Sequence, residues 1–303
     1  MILSSAESKN PRHSGGQKNG CCTRHCNGFF RSHPWINAWG SGIALGFVRR
    51  LTVKNTLFFL VPPMRQQAPI IPHIIDQHAE EAAFFWLLRS NAVSAPHYDL
   101  QDLAKLDERV EAHLDGLRIA GDHGWEVSLE NMQAREPGEV FTAAVLALEG
   151  TAIERINQVY AAVAECPETV DGLVSALGWV DSKLLQGKVN GLLNSGSPFW
   201  RRVGIAACAA HRVDPGRYLQ QAIADDDLPL RCRALRTAGE LGRVDLLPAI
   251  LQQLHQEDAA IRFWAAWTAV LRGNHGAAMD ALQAVVLQVP VMRKEPCRSS
   301  CGC

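Results

Sequence analysis

The sequence predicts an all-α chain, an α-solenoid of helical hairpins with an N-terminal helical segment. Three observations predict it. The stretch from Ser197 to Gln288 repeats itself every 31 residues, each copy carries apolar residues at helical spacing, and no strand-rich segment interrupts them. Asp227-Leu-Pro-Leu-Arg231 is echoed by Asp258-Ala-Ala-Ile-Arg262, and Ala238, Gly242 and Leu251 fall on Ala269, Gly273 and Leu282. Backwards, Gly242-Arg243-Val244-Asp245 falls on His211-Arg212-Val213-Asp214, and a further copy begins near Pro167.

Each unit reads as two helices and a turn. In the first helix Leu230, Ala234, Leu235, Ala238 and Leu241 form one stripe, with Arg233, Arg236 and Glu240 on another face. Gly242 suits the left-handed conformation that ends a helix, and Asp245 sits where an N-cap is expected for the next. Leu246, Leu247, Ile250, Leu251 and Leu254 supply the second stripe, with Pro248 in the first turn. Neither helix buries its stripe alone, so neighbouring units must stack. The pattern Asp-x-x-x-Arg, small residues, Leu-Gly-x-x-Asp and a leucine-rich helix resembles a HEAT repeat of the short variety found in bilin lyases. That resemblance implies a fold and leaves activity open.

Taken from the start, residues 1–66 read as an extension to the fold, aperiodic and rich in Gly, Ser, Asn and Arg. Residues 1–63 hold eight Lys/Arg and one acidic residue, whereas 64–137 hold six Lys/Arg and thirteen Asp/Glu. This change of texture places the expected start of translation at Met64. The apolar runs 43–48 and 56–61 are too short and too charged to cross a membrane, and they lack the layout of a signal peptide. Cys21, Cys22, His25 and Cys26 lack a second ligand pair at zinc-finger spacing, so no metal or other cofactor is implied.

Residues 67–137 read as an acidic helical segment. One predicted helix carries Ile70, Ile71, Ile74, Ile75, Ala82, Trp86 and Leu88, and ends near Pro96; the next runs from Asp99 to Ala120. Glu136-Pro137-Gly138 marks a boundary, the hairpin array occupies 138–289, and 290–303 is a tail. The span 67–288 also resembles a family of uncharacterised proteobacterial HEAT-repeat proteins. The residues carrying that resemblance include Gln77-His78-Ala79-Glu80-Glu81-Ala82, the run Leu106 to Leu117, Pro137-Gly138-Glu139-Val140-Phe141 and Arg262-Phe263-Trp264-Ala265-Ala266-Trp267. Its members lie near type VI secretion genes, which implies an accessory or adaptor role. The family pattern extends past the end of this chain.

Six of the nine cysteines lie in the two ends, leaving Cys166, Cys208 and Cys232 in the repeats. That usage fits buried thiols of a cytoplasmic protein rather than a disulfide framework. His78 with Glu81, and Asp107, Glu111 and His113, are the best candidates for a catalytic or metal site, without forming a His-Glu-x-x-His motif. The bland reading of the same residues is a solvated acidic face with packed histidines. Ten arginines in 195–275 face eight acidic residues, and Asp227 with Arg231, Asp258 with Arg262 and Arg236 with Glu240 stand at ion-pair spacing. That balance argues against nucleic-acid binding.

The expected function is therefore a non-catalytic scaffold or adaptor that binds a protein, with a groove-acting lyase or hydrolase as the alternative. Trp264, Trp267 and Leu271 replace Arg233, Arg236 and Glu240 of the preceding unit, turning a polar face apolar. The last helix, 276–288, presents Met279, Leu282, Val285, Val286 and Leu287 with one charge, Asp280. Trp264, Trp267, Leu271, Val286 and Leu287 are accordingly the expected partner-binding residues. A further repeat beyond this chain is the favoured cover for that surface. Without one, self-association through the last repeat is expected.

Overall fold

A computed structural model describes residues 70–288, and every regular element among them is helical. The extension, the tail, the Cys21 to Cys26 cluster and the expected start at Met64 lie outside the described residues. α1 (Pro72–Ala92) and α2 (Leu100–Ala120) form a hairpin, and α3 (Asp122–Asn131) follows directly. Asp99 starts α2 as its N-cap, accepting the backbone N–H groups of Gln101 and Asp102 at 2.8 and 2.9 Å. The face that α1 buries is Ile75, Ala79, Ala82, Ala83 and Trp86. Ile70, Ile71 and Ile74, expected in the stripe, are exposed. Small alanines on α1 let α2 and α4 approach closely, and bulky isoleucines would have held them apart.

Five helix pairs follow. They are α4 (Pro137–Glu149) with α5 (Ile153–Glu165), α6 (Val170–Trp179) with α7 (Lys188–Leu193), α8 (Pro198–Ala210) with α9 (Arg217–Ile223), α10 (Leu228–Leu241) with α11 (Leu247–Gln252), and α12 (Ala259–Leu271) with α13 (Gly276–Gln288). The first helices pack in series, α4 on α6, α6 on α8, α8 on α10 and α10 on α12, and α1 packs on α4. Phe141 of α4, fully buried, stacks on Trp86 at 5.4 Å and meets Trp179 edge-on at 5.5 Å, so one apolar core runs across residues 137–138. A second core begins at Leu193 and ends at Ala278. The two meet on α8, which gives Val203 and Ala207 to the first and Ile205 and Cys208 to the second.

The turn chemistry repeats with the sequence. Gly242 and Gly273 take φ of 75° and 82°, and in the turn after α8 the left-handed residue is Arg212 at 54°, one position after His211, on which the sequence repeat placed Gly242. In the same three turns the N–H groups of Val213, Arg243 and Asn274 donate to the carbonyls of Cys208, Ala238 and Ala269 at 2.9, 3.0 and 3.0 Å. That six-to-one bond closes a helix around a left-handed residue. The helix starts repeat too. Asp227 and Asp258 are N-caps, accepting from Leu230 N–H at 2.8 Å and Ile261 N–H at 2.9 Å. The arginine four residues after each of Ser197, Asp227 and Asp258 turns back to loop carbonyls, Arg201 to Ser195 and Gly196, Arg231 to Asp225, and Arg262 to Gln256 and Glu257, although Ser197 itself makes no side-chain cap and Arg201 also pairs with Asp225 at 2.6 Å. For Asp227 and Arg231 this corrects the expected ion pair. Each side chain instead satisfies backbone groups that the helix start would leave exposed.

Asp245 is a second correction. It caps no helix; its carboxylate takes two hydrogen bonds from Arg243 at 2.7 and 2.8 Å. α11 begins after a 3₁₀ turn at Val244–Leu246 with no side-chain cap. The predicted stripe survives the broken helix, since Leu246, Ile250 and Leu254 are all buried.

Candidate functional site

Of the five ionisable candidates, three meet. His78 and Glu81 lie one turn apart on α1, and both reach His113 on α2. Glu81 Oε2 stands 3.0 Å from His113 Nε2, and the Nδ1 atoms of His113 and His78 are 3.1 Å apart. A carboxylate only accepts, so Nε2 of His113 carries the proton. In the neutral ring Nδ1 then accepts from Nδ1–H of His78. Burial lowers the His113 pKa, with Glu81 opposing and His78 adding to the shift. Phe85 stacks on His113 at 5.5 Å, and the Arg109 guanidinium lies over Phe85 at 5.3 Å. The His78 ring covers Gly116 so closely that a Cβ there would sit 2.5 Å from it. The result is a proton-sharing chain between two helices, Glu81–His113–His78. Among the described residues no group of three or more His, Cys, Asp or Glu is arranged to hold a metal ion.

The other two candidates are committed elsewhere. Asp107 accepts from Arg89 at 2.8 Å. Glu111 accepts from Arg118 and from the Trp179 indole N–H, both at 2.7 Å. Arg118 also binds Asp115 at 2.7 Å and grips Glu149 with two nitrogens at 2.7 and 2.8 Å. Burial alone would lower its pKa, but the three carboxylates outweigh that and hold the guanidinium above its ordinary range. Glu111 thus joins α2 to α6, and Arg118 ties the pair to Glu149 at the end of α4, which excludes Glu111 as an unencumbered base.

At the carboxyl end, Trp264 and Trp267 are half-buried against α10. Trp264 lies under the Arg236 guanidinium at 5.2 Å and meets Trp267 edge-on at 5.5 Å. Trp267 occupies the space beside Gly239. The α10 face they cover is itself far from solvated: Arg233, Arg236 and Glu240 side chains are 17%, 11% and 17% exposed, and both arginines bind Glu240. Burial pulls the Arg233 guanidinium down to about 10 against the attraction of Glu240. The exposed apolar residues of the last unit are Leu271, Met279 and Leu287, at 46%, 50% and 77%. Val285 is buried, and the side chain of Val286 lies outside the described residues.

Sequence reasoning passed over a cleft of about 550 Å³ between α5 and α7, closed at one side by Trp200 of α8. One wall is the face of α5 bearing Ile153, Ile156 and Tyr160; the other is α7, with Gly187, Lys188 and Gly191. Tyr160 and Trp200 rings stand 5.1 Å apart, and the Tyr160 hydroxyl is buried without a hydrogen-bond partner. Burial pushes its pKa up to about 12. Lys188 Nζ donates to the carbonyls of Leu148 at 2.9 Å and Leu184 at 2.7 Å. The glycine pair at 187 and 191, inside an otherwise periodic unit, is the signal that could have pointed here.

No family model matches this chain, and no curated protein or solved structure matches it either. Burial raises the thiol pKa of Cys208 and Cys232 to about 11 each, which marks them as packing residues. No described helix is long and apolar enough to cross a membrane.

Proposed function

We propose that this chain is a non-catalytic protein-binding scaffold, an α-solenoid of HEAT-like repeats. The observation that carries the reading is the serial packing of α4, α6, α8, α10 and α12, with the arginine return and left-handed turn recurring on α8, α10 and α12 and the aspartate cap on the last two. Units that contact mainly their neighbours build a long continuous surface, and such surfaces suit extended partners. The partner-contacting residues in this reading are Leu271 and Leu287 with the half-buried Trp264 and Trp267 behind them. Val286 belongs to the same helix. An accessory role in type VI secretion is the cellular setting that the family resemblance suggests.

The test is capture of a stoichiometric protein by the tagged full chain from its native cell, repeated with Leu271→Glu and Leu287→Lys together. Capture by the unmodified chain and its loss in a folded variant support the scaffold. Equal capture by both removes this face from the site. A groove-acting lyase or hydrolase is the second reading, favoured by the Glu81–His113–His78 chain, which resembles a general-base relay in its hydrogen bonding. Turnover that disappears in His78→Ala would decide for it.

A further inference from the structure

We infer that the cleft between α5 and α7 binds an amphipathic carboxylate, an apolar body ending in one anionic group. This site is independent of the scaffold reading and of the Leu271 face. Its volume falls within the range of small-molecule pockets, which are mostly apolar with a few placed polar groups. Ile153, Ile156, Leu192 and Trp200 supply an aliphatic and aromatic lining. No carboxylate lines the cleft, so an anion meets no like charge there.

Two features of α7 separate this cleft from an ordinary packing gap. Gly191 stands within the helix, and a Cβ built on it meets nothing within 4 Å, so helix packing does not require the glycine. Glycine is unfavourable at such a position, and its effect here is to leave the wall open. The second feature is Lys188, the one cation of the lining, placed where α4 gives way to α5. Its ammonium donates to two backbone carbonyls and is in no ion pair among the described residues. An ammonium has three donors, so one hydrogen bond and the whole charge stay available. A neutral apolar ligand would leave that charge uncompensated, and a cation would be repelled. The Tyr160 ring lines the same wall beside Trp200.

The experiment is calorimetric titration of the full chain with decanoate, with decanol and with decyltrimethylammonium, each below its micelle-forming concentration. Saturable binding at one site is expected for decanoate, about tenfold or more tighter than for decanol, with none for the cation. Gly191→Phe should abolish binding by filling the cleft, and Lys188→Gln should bring decanoate down to the level of decanol. Should Gly191→Phe fail to fold, Gly191→Leu and Lys188→Gln carry the test. Equal affinities for decanoate and decanol in the unmodified chain overturn the proposal. So does decanoate binding that survives both a folded Gly191 variant and Lys188→Gln, which would be surface adsorption only.

Discussion

The block α1 to α3 and the repeats from α8 to α13 are both helical, yet different chemistry ties their helices together. In the first, side chains clasp each other: Arg89 reaches Asp107 and His78 reaches His113 between α1 and α2, and Arg118 ties Glu111 and Asp115 of its own helix to Glu149 on α4. In the second, polar side chains mostly serve the backbone beside them. Asp227 and Asp258 cap, and Arg231 and Arg262 return to loop carbonyls. The first arrangement fixes one specific set of helices and cannot be copied along a chain. The cap and the arginine return can be copied unit after unit, because each closes within a few residues of its own helix start. The Arg243 to Asp214 bond at 2.6 Å between successive turns is an exception.

The sharpest way to break the comparison is at Arg118. Arg118→Met keeps much of the apolar stem but leaves Glu111, Asp115 and Glu149 facing one another. Charge-assisted bonds lost from a partly buried hub should cost about 2–3 kcal/mol in urea unfolding. A loss below about 0.5 kcal/mol would class it with exposed surface pairs and remove the contrast. Next in size is the repeat cap. Asp227→Ala should cost about 1 kcal/mol by leaving the Leu230 N–H unsatisfied. Asp245→Ala, at the position that sequence spacing marks as a cap, should leave the melting temperature unchanged. Equal losses from the two would mean that the Arg243–Asp245 bonds matter as much as a cap.

That pair of aspartates also shows what was legible. The period of 31, the helix stripes and the left-handed Gly242 could be read because every group involved lies within a few residues. Asp245 was misread because cap and ion pair place the same residue type after the same turn, and only Arg243 decides between them. The Glu111 strut was not legible at all: its Trp179 partner is 68 residues away, and Arg118 joins Glu149 across 31. His78, Glu81 and His113 were recognised as candidates, but their meeting depends on how α1 crosses α2. The cleft escaped because it is a gap between helices distant in sequence, marked in the sequence by nothing more than the glycines at 187 and 191.

A smaller effect should appear on acidification of the N-terminal block. The folded pKa of His113 lies below its unfolded value near 6.5, chiefly through burial. Between the two values the unfolded chain binds more protons, so stability rises with pH. The contribution is fully present above about pH 6.5 and is lost as pH falls through the lowered folded value. Melting temperatures at pH 7.5 and pH 5 should differ more for the unmodified chain than for His113→Gln. An equal or reversed difference would mean that Glu81 dominates and raises the pKa instead.

The smallest effect, and the finest test of the repeat, is at the turn after α8. Three equivalent turns put Arg212, Gly242 and Gly273 in the left-handed region, and only Arg212 carries a Cβ there. A left-handed L-residue costs roughly 1–2 kcal/mol, and replacing it with glycine removes that strain. Glycine also enlarges the conformational freedom of the unfolded chain, which returns roughly 0.5–1 kcal/mol in the other direction. From the backbone alone Arg212→Gly should stabilise the chain by about 0.5 kcal/mol, the difference of those ranges, less whatever the arginine side chain contributes to its turn. Gly242→Val is the mirror experiment and should destabilise by about 1–2 kcal/mol through its left-handed backbone, with the Arg272 guanidinium 2.8 Å from the added Cβ free to swing aside. If the three turns are one device, the two substitutions must have opposite signs. Destabilisation by Arg212→Gly would show that the arginine side chain holds its turn through contacts the two glycine turns lack, and that turn would leave the series.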